Sequence, residues 1–325
     1  MNIMSRTAPA AGTRAALGRI HAITINLQPR TSLADLLSEV NSALDGASDL
    51  DLIVLPESCL GVGPDVAEPV DGPTVRALSD VARQRNAYVL AGLYLAHESE
   101  CYVSSVLVDR SGSLVGVYDK RYPYWSDLTA GPQTRSGSGV SCWPTDFGKL
   151  GSAICFDVNF PQVWADLADA GVDLVVWPSA YAGGEILRSY AQIHHFHVLT
   201  CTQAGDSRLY DPIGTDIAPE DEPRERVRQF DIDLDRGFYH HNFNLDGLQR
   251  LLADHGDDLQ LDAMLDNEEW FVLSGRNAEV NVRDLARSYG LEEIRDYLRR
   301  SRQAMDELRV PSGAGIDDAA MAGRR

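Results

Sequence analysis

Three residues of complementary chemistry each follow a short apolar run in this chain. Glu57 lies in Leu55-Pro56-Glu57-Ser58, Lys120 in Tyr118-Asp119-Lys120-Arg121-Tyr122-Pro123, and Cys155 in Gly151-Ser152-Ala153-Ile154-Cys155-Phe156-Asp157. A carboxylate directly after a buried strand is partly desolvated, which raises its pKa and suits it to general-base work. A thiol between a strand and a helix opened by Pro161 meets the positive end of the helix dipole, which favours the thiolate. Taken singly, each has a plainer reading: a turn cap, a surface lysine, an inert core thiol. Taken together, a base, a cation and a thiol are the set that acyl transfer through a thioester requires. The carboxylate takes the thiol proton, the thiolate attacks a carbonyl or nitrile carbon, and the cation stabilises the developing negative charge. The same carboxylate then activates water against the thioester.

The identity of the cation is a signal in its own right. Of 29 basic residues only Lys120 and Lys149 are lysines. Lysine carries a compact ammonium and arginine a fixed planar fork, so the two are not interchangeable where geometry matters.

The elements that must position these groups follow from periodicity. Apolar patterning predicts strands over residues 19–27, 50–55, 87–95, 102–109, 114–118, 150–154, 172–177, 197–203 and 227–232, and helices over 33–44, 74–85, 160–170 and 185–196. Arg110-Ser111-Gly112-Ser113 and Asp211-Pro212-Ile213-Gly214 read as hairpin turns, and residues 121–140 as a polar loop. Strands that alternate with helices but are interrupted by hairpins predict an α/β fold with a mixed sheet and helices on an outer face. All three reactive residues then fall at carboxyl ends of strands, the rim where sites gather in open α/β sheets. Beyond residue 242 the pattern changes, and 248–252, 259–265, 282–289 and 291–308 read as helices without a catalytic pattern. The last two superficially match a helix-turn-helix. Acids nearly balance their arginines, so a docking or oligomerisation arm is expected rather than a DNA reader.

In order and context, Glu57, Lys120 and Cys155 resemble the catalytic set of the nitrilase superfamily of carbon–nitrogen hydrolases. The likeness spans about residues 18–236 and takes in Val175-Val176-Trp177-Pro178-Ser179, the 211–214 turn and Phe230-Asp231-Ile232-Asp233. It implies an αββα sandwich, four layers that continue across an interface when two copies pair through helices beside the cysteine. It also implies Glu57 as general base, Lys120 as oxyanion stabiliser, Cys155 as nucleophile and the Phe156 backbone N–H as second oxyanion donor. Cys155-Phe156-Asp157-Val158-Asn159-Phe160-Pro161 is similar to the Cys-aromatic-Asp-x-x-Phe-Pro of amidases and carbamoyl hydrolases, whereas nitrilases commonly follow the cysteine with Trp-Glu. The resemblance therefore implies hydrolysis of a small linear amide with release of ammonia. N-carbamoyl or nitrile hydrolysis, acyl transfer to another acceptor, and a silent scaffold are the alternatives.

Two departures stand out. Many family amidases carry a further Glu after the lysine, whereas this chain has none between Glu100 and Glu185, and Asp127 is the nearest acidic substitute. Gln162 stands where related amidases commonly have Glu. The resemblance places Tyr122, Trp125, Ser179, Ala180 and Tyr181 where the family lines its pocket, although Tyr122 and Trp125 read equally well as loop packing. His194, His195 and His197 cluster without the i, i+4 spacing of a helical zinc site, and no metal or cofactor is expected.

Composition narrows the partners. The 325 residues carry a net charge of −19, a field that repels duplex nucleic acid and anionic membranes, and 44% of them are hydrophobic, enough for a large core. The expected partners are a small amide, carbamoyl or nitrile substrate and further copies of the chain, as a homodimer or higher homo-oligomer. Five widely spaced cysteines without a CxxC pair fit reduced thiols. With no signal-peptide core and no run near 20 apolar residues, a cytoplasmic location is expected. The expected organisation is a disordered segment 1–17, a hydrolase domain 18–241, a helical extension 242–310 and a disordered tail 311–325.

Overall fold

The computed structural model describes residues 18–129, 134–217, 225–277 and 279–309. The disorder expected of residues 1–17 and 311–325 lies outside the described residues. The chain falls into two compact units, one running to Arg236 and including Asn277–Asn281, the other made of Gly237–Arg276 and the residues from Val282 onward.

The first unit contains β1 (Arg19–Ile25), α1 (Leu33–Ala43), β2 (Leu52–Val54), α2 (Pro73–Arg85), β3 (Tyr88–His97), β4 (Glu100–Val108), β5 (Leu114–Asp119), α3 (Trp125–Thr129), β6 (Trp143–Pro144), β7 (Lys149–Ser152), α4 (Pro161–Asp169), β8 (Leu174–Ser179), α5 (Glu185–His194), β9 (His197–Thr202), β10 (Leu209–Tyr210) and β11 (Val227–Asp233). Six strands form one sheet in the order β11-β1-β2-β3-β4-β5, and five form another in the order β10-β9-β8-β7-β6. In each sheet the central three strands are parallel and the flanking ones antiparallel.

Strand alternation sorts the apolar residues into three layers. Ile23 and Ile25 of β1 pack with Ile53, with Leu36 and Val40 of α1, and with Val75 and Leu78 of α2. On the opposite face, Ile20 and Ala22 join Leu52, Val54 and Leu90 against Leu150, Leu174, Val176 and Leu199 of the second sheet. The outer face of that sheet, with Val175, Trp177 and Val198, is covered by Val163, Trp164 and Leu167 of α4 and by Leu187 and Tyr190 of α5. The layers are therefore helix, sheet, sheet, helix. Because both sheets are covered on both faces, their central strands read as nearly unbroken apolar runs.

Helix starts follow local chemistry. The Ser32 hydroxyl accepts the Asp35 N–H at 3.1 Å to cap α1, and proline opens α2 and α4. Two elements near the site escape the sequence pattern. The polar loop after Lys120 contains the short helix α3, and a 3-10 turn over Cys155–Asn159 precedes α4.

The second unit holds β12 (Gly237–His240), α6 (Leu245–His255), β13 (Leu259–Leu265), β14 (Trp270–Gly275), α7 (Val282–Ser288) and α8 (Ile294–Glu307). Its strands form an antiparallel sheet in the order β12-β14-β13. Residues 259–265, expected to be helical, are a strand. Leu259, Leu261, Ala263 and Leu265 recur at the two-residue period of a sheet, and the pairing with β14 shifts register between Leu261 and Ala263. Among the described residues no helix is long and apolar enough to cross a membrane.

Candidate active site

Glu57 follows β2 and is buried. One carboxylate oxygen, Oε1, accepts a hydrogen bond from Lys120 Nζ at 2.7 Å, and Oε2 accepts one from the Ala180 backbone N–H at 3.2 Å. Its carbonyl accepts Gln203 Nε2 at 2.8 Å. Residues that follow β5, β8 and β9 thus converge on the glutamate that follows β2. Glycine on the neighbouring strand is what lets Glu57 lie there. A Cβ at Gly92 would stand 2.5 Å from Glu57 Cα and 2.7 Å from the Pro56 carbonyl oxygen, both backbone atoms that cannot swing away.

Lys120, one residue past β5, is only 1% exposed. Beyond its bond to Glu57, its ammonium lies 3.7 Å from Asp127 Oδ2. Burial alone would lower the lysine pKa. The charge and hydrogen bond of Glu57, with the charge of Asp127, outweigh it and hold the ammonium above the ordinary lysine range. Asp127 is fixed in turn by the Tyr124 N–H at 3.0 Å and the Tyr94 hydroxyl at 3.4 Å. It is a cavity-wall residue beside the lysine, not a solvated loop acid. Gln162 is on the surface, where its amide donates to Asp166 Oδ1 at 2.6 Å.

Cys155 opens the 3-10 turn with φ +43°, the left-handed region that non-glycine residues seldom occupy. Trp177 Nε1 on β8 donates to the Cys155 carbonyl at 3.1 Å and holds the turn in that conformation. The expectation that a helix start acidifies this thiol is overturned. Burial first, then the charge of Glu57, push it up to about 12, against the opposing pull of Lys120, the Ser179 hydroxyl and the Ala180 N–H. The five-residue turn supplies too little dipole to compete with that burial. The resting thiol is therefore neutral, and attack by sulfur needs a base.

Asp157, missed as a site residue from sequence, ties the cysteine turn to the lysine loop. The Tyr118 hydroxyl and the Ile154 N–H donate to its Oδ2 at 2.8 and 2.9 Å, and the Tyr122 N–H donates to Oδ1 at 2.9 Å. Burial nevertheless raises its pKa from 3.8 to about 6. The folded chain then holds this proton more tightly than the unfolded chain. Its contribution to stability is complete below about pH 4 and is lost as pH rises through about 6, an amount of about 3 kcal/mol. Asp157→Asn is expected to flatten the fall in melting temperature between pH 4.5 and 7. Parallel curves for variant and parent would show that another group titrates.

Glu57, Lys120, Asp127 and Cys155 line one cavity of about 580 Å³, with Tyr94, Tyr124, Phe156, Asn159, Tyr181 and Gln203 among its walls. Of the residues expected at the pocket from sequence, Asp127, Ala180, Tyr181 and Phe156 reach it. Ser179 lies behind the wall, its hydroxyl accepting the Tyr181 N–H at 3.0 Å and bonding the Cys155 sulfur. Tyr122 and Trp125 do not line the cavity. Tyr122 stacks on Phe160 with ring centroids 3.6 Å apart, pinned by its N–H to Asp157, and Trp125 is 72% exposed. Tyr124, between them, is the loop aromatic that lines the cavity, with half of its surface still exposed.

The carbon-nitrogen hydrolase family model matches residues 19–237. The chain belongs to the carbon–nitrogen hydrolase family. This hydrolase is 28% identical over 228 residues to Hydrolase C26A3.11 of Schizosaccharomyces pombe, across 61% of this chain and 70% of that one. It is 27% identical over 237 residues to an (R)-stereoselective amidase of Pseudomonas sp., across 62% and 80% of the two chains. Its fold is shared with Saccharomyces cerevisiae Nit3, a branch 10 member of the nitrilase superfamily, at a TM-score of 0.58 and 20% identity over 69% of this chain and 93% of the other. The hydrolase thus has the αββα fold of that superfamily and is an enzyme acting on carbon–nitrogen bonds.

Proposed function

We propose that this chain is an amidase that hydrolyses a small linear carboxamide through a thioester on Cys155. The observation that carries the reading is the convergence of Glu57, Lys120 and Cys155 on one cavity. The kinship with an amidase supports the choice of bond. With the thiol neutral at rest, Glu57 takes the Cys155 proton as sulfur attacks the amide carbon. The carbonyl oxygen gains charge beside Lys120 Nζ and the Phe156 N–H. Collapse of the tetrahedral intermediate expels the amine, which receives the proton from Glu57 and leaves as ammonia. A water that gives its proton to Glu57 then attacks the thioester carbon, and the acid leaves as the thiol recovers the proton. Exposed Ile186 and Ile193 on α5 suit the homodimer that the family resemblance implies.

The test is ammonia release across a panel of amides, ureido acids and nitriles, with mass spectrometry for an acyl adduct on Cys155. Cys155→Ala should abolish release and adduct while its far-UV spectrum matches the parent. Parental turnover in that variant would sink the mechanism, and release from nitriles or ureido acids alone would move the enzyme to another branch.

A further inference from the structure

We propose that the substrate of this site is an uncharged carboxamide with an aryl or similarly bulky apolar acyl tail, and that amides bearing a carboxylate are rejected. This rests on the amidase reading above and adds the class of substrate.

The first argument is charge. Among the described residues the formally charged side chains of the cavity wall are Glu57, Asp127 and Lys120, and no arginine lines it. The lysine is already held by both acids, at 2.7 and 3.7 Å. The three sum to −1. A carboxylate on the acyl tail would face two carboxylates with no unengaged cation to meet it, and like charges repel.

The second argument is shape. The cavity of about 580 Å³ is sized for a ligand with a ring, far beyond what a two- or three-carbon amide fills. Tyr94, Tyr124, Phe156 and Tyr181 give it aromatic walls. Two of these rings are braced edge to face, Tyr124 on Phe156 at 5.3 Å and Tyr181 on Trp177 at 5.6 Å, so the surface offered to a tail is held in place. Asn159, Ser126 and Gln203 supply hydrogen-bonding groups without charge.

The experiment compares kcat/KM of the full chain on 3-phenylpropionamide, propionamide and glutaramate, the monoamide of glutaric acid, by ammonia release. The phenyl amide should exceed propionamide by at least about tenfold, mostly through KM, the return on burying a ring. Glutaramate should fall below propionamide by about 30-fold, the effect of one like charge about 8 Å away at an effective dielectric of about 20. Tyr124→Ala and Tyr181→Ala should each shrink the phenyl-to-propionamide ratio. Asp127→Asn, which brings the formal sum of the wall to zero, should remove most of that about 30-fold difference between glutaramate and propionamide. Glutaramate turnover equal to that of propionamide, or no phenyl preference, would overturn the proposal while leaving the amidase reading intact. Silence on every amide, with no adduct on Cys155, would instead remove the amidase reading beneath it.

Discussion

Glu57→Gln is expected to make Cys155 more acidic and the enzyme nearly inactive. The two effects have opposite signs for one reason. The Glu57 carboxylate is second only to burial in holding the thiol up at about 12, while Lys120 pulls the other way. Removing the carboxylate charge deletes an upward push and frees the ammonium that Glu57 engages at 2.7 Å, so the thiolate fraction at pH 8 must rise. If thiol ionisation limited the reaction, the variant would be faster. A positioned base contributes about 10²–10⁴ in rate, and a glutamine cannot accept the proton, so turnover should fall by that factor despite the extra thiolate. Absorbance of the thiolate near 240 nm, followed against pH with Cys155→Ala as blank, reads the first effect, and ammonia release reads the second. Turnover within tenfold of the parent would remove Glu57 from the proton path. A thiol that titrates no lower would show that the two groups are not electrostatically coupled.

The sequence exposes the reactive residues and hides much of the wall around them, for a physical reason. Glu57, Lys120 and Cys155 each stand near the end of an apolar run, a break visible in one dimension. The pocket wall is assembled from loops and strands far apart in the chain. Gln203 reaches the Glu57 carbonyl across 146 residues, and no local pattern encodes that. Tyr94 reads as one more apolar strand residue. Its parity with Tyr88 and Leu90, which face the second sheet, was the available signal that its hydroxyl points toward the site side. The inversion of Tyr122 and Tyr124 depends on the hydrogen bond to Asp157 and the stack on Phe160, both tertiary. The thiol pKa runs against the sequence-based expectation because dipole and charge can be anticipated from neighbours in sequence, whereas the depth of burial cannot. In the second unit, the strand β13 was hidden by Leu, Ala and Met, residues whose helix preference is overridden by pairing with β14.

Lys120→Arg is expected to lower kcat by about 10²–10³, although it keeps the charge. The distinction separates what a cation does for the fold from what it does for the reaction. Any cation here prevents the buried Glu57 and the partly buried Asp127 from standing uncompensated. Lys120→Met, which provides none, should cost about 3–5 kcal/mol of stability. Arginine meets that requirement, at an overpacking cost of about 1–3 kcal/mol in a pocket that leaves the present side chain 1% exposed. Catalysis asks for more. Lys120 Nζ spends one N–H on Glu57 at 2.7 Å and points toward Asp127 at 3.7 Å, and its tetrahedral ammonium has another N–H for the oxyanion. A planar guanidinium pairs with the carboxylates in its own plane and cannot turn one donor out toward a carbon attacked from Cys155. Lys149 provides the control within the same chain. Its ammonium is on the surface, 3.5 Å from the Ala170 carbonyl oxygen, a contact that a guanidinium can also make. Lys149→Arg should retain full turnover, whereas Lys120→Arg should remain folded by circular dichroism and lose kcat with little change in KM. Equal turnover in the two variants would mean that the site needs only a positive charge, and the oxyanion role would pass from Lys120 to backbone donors alone.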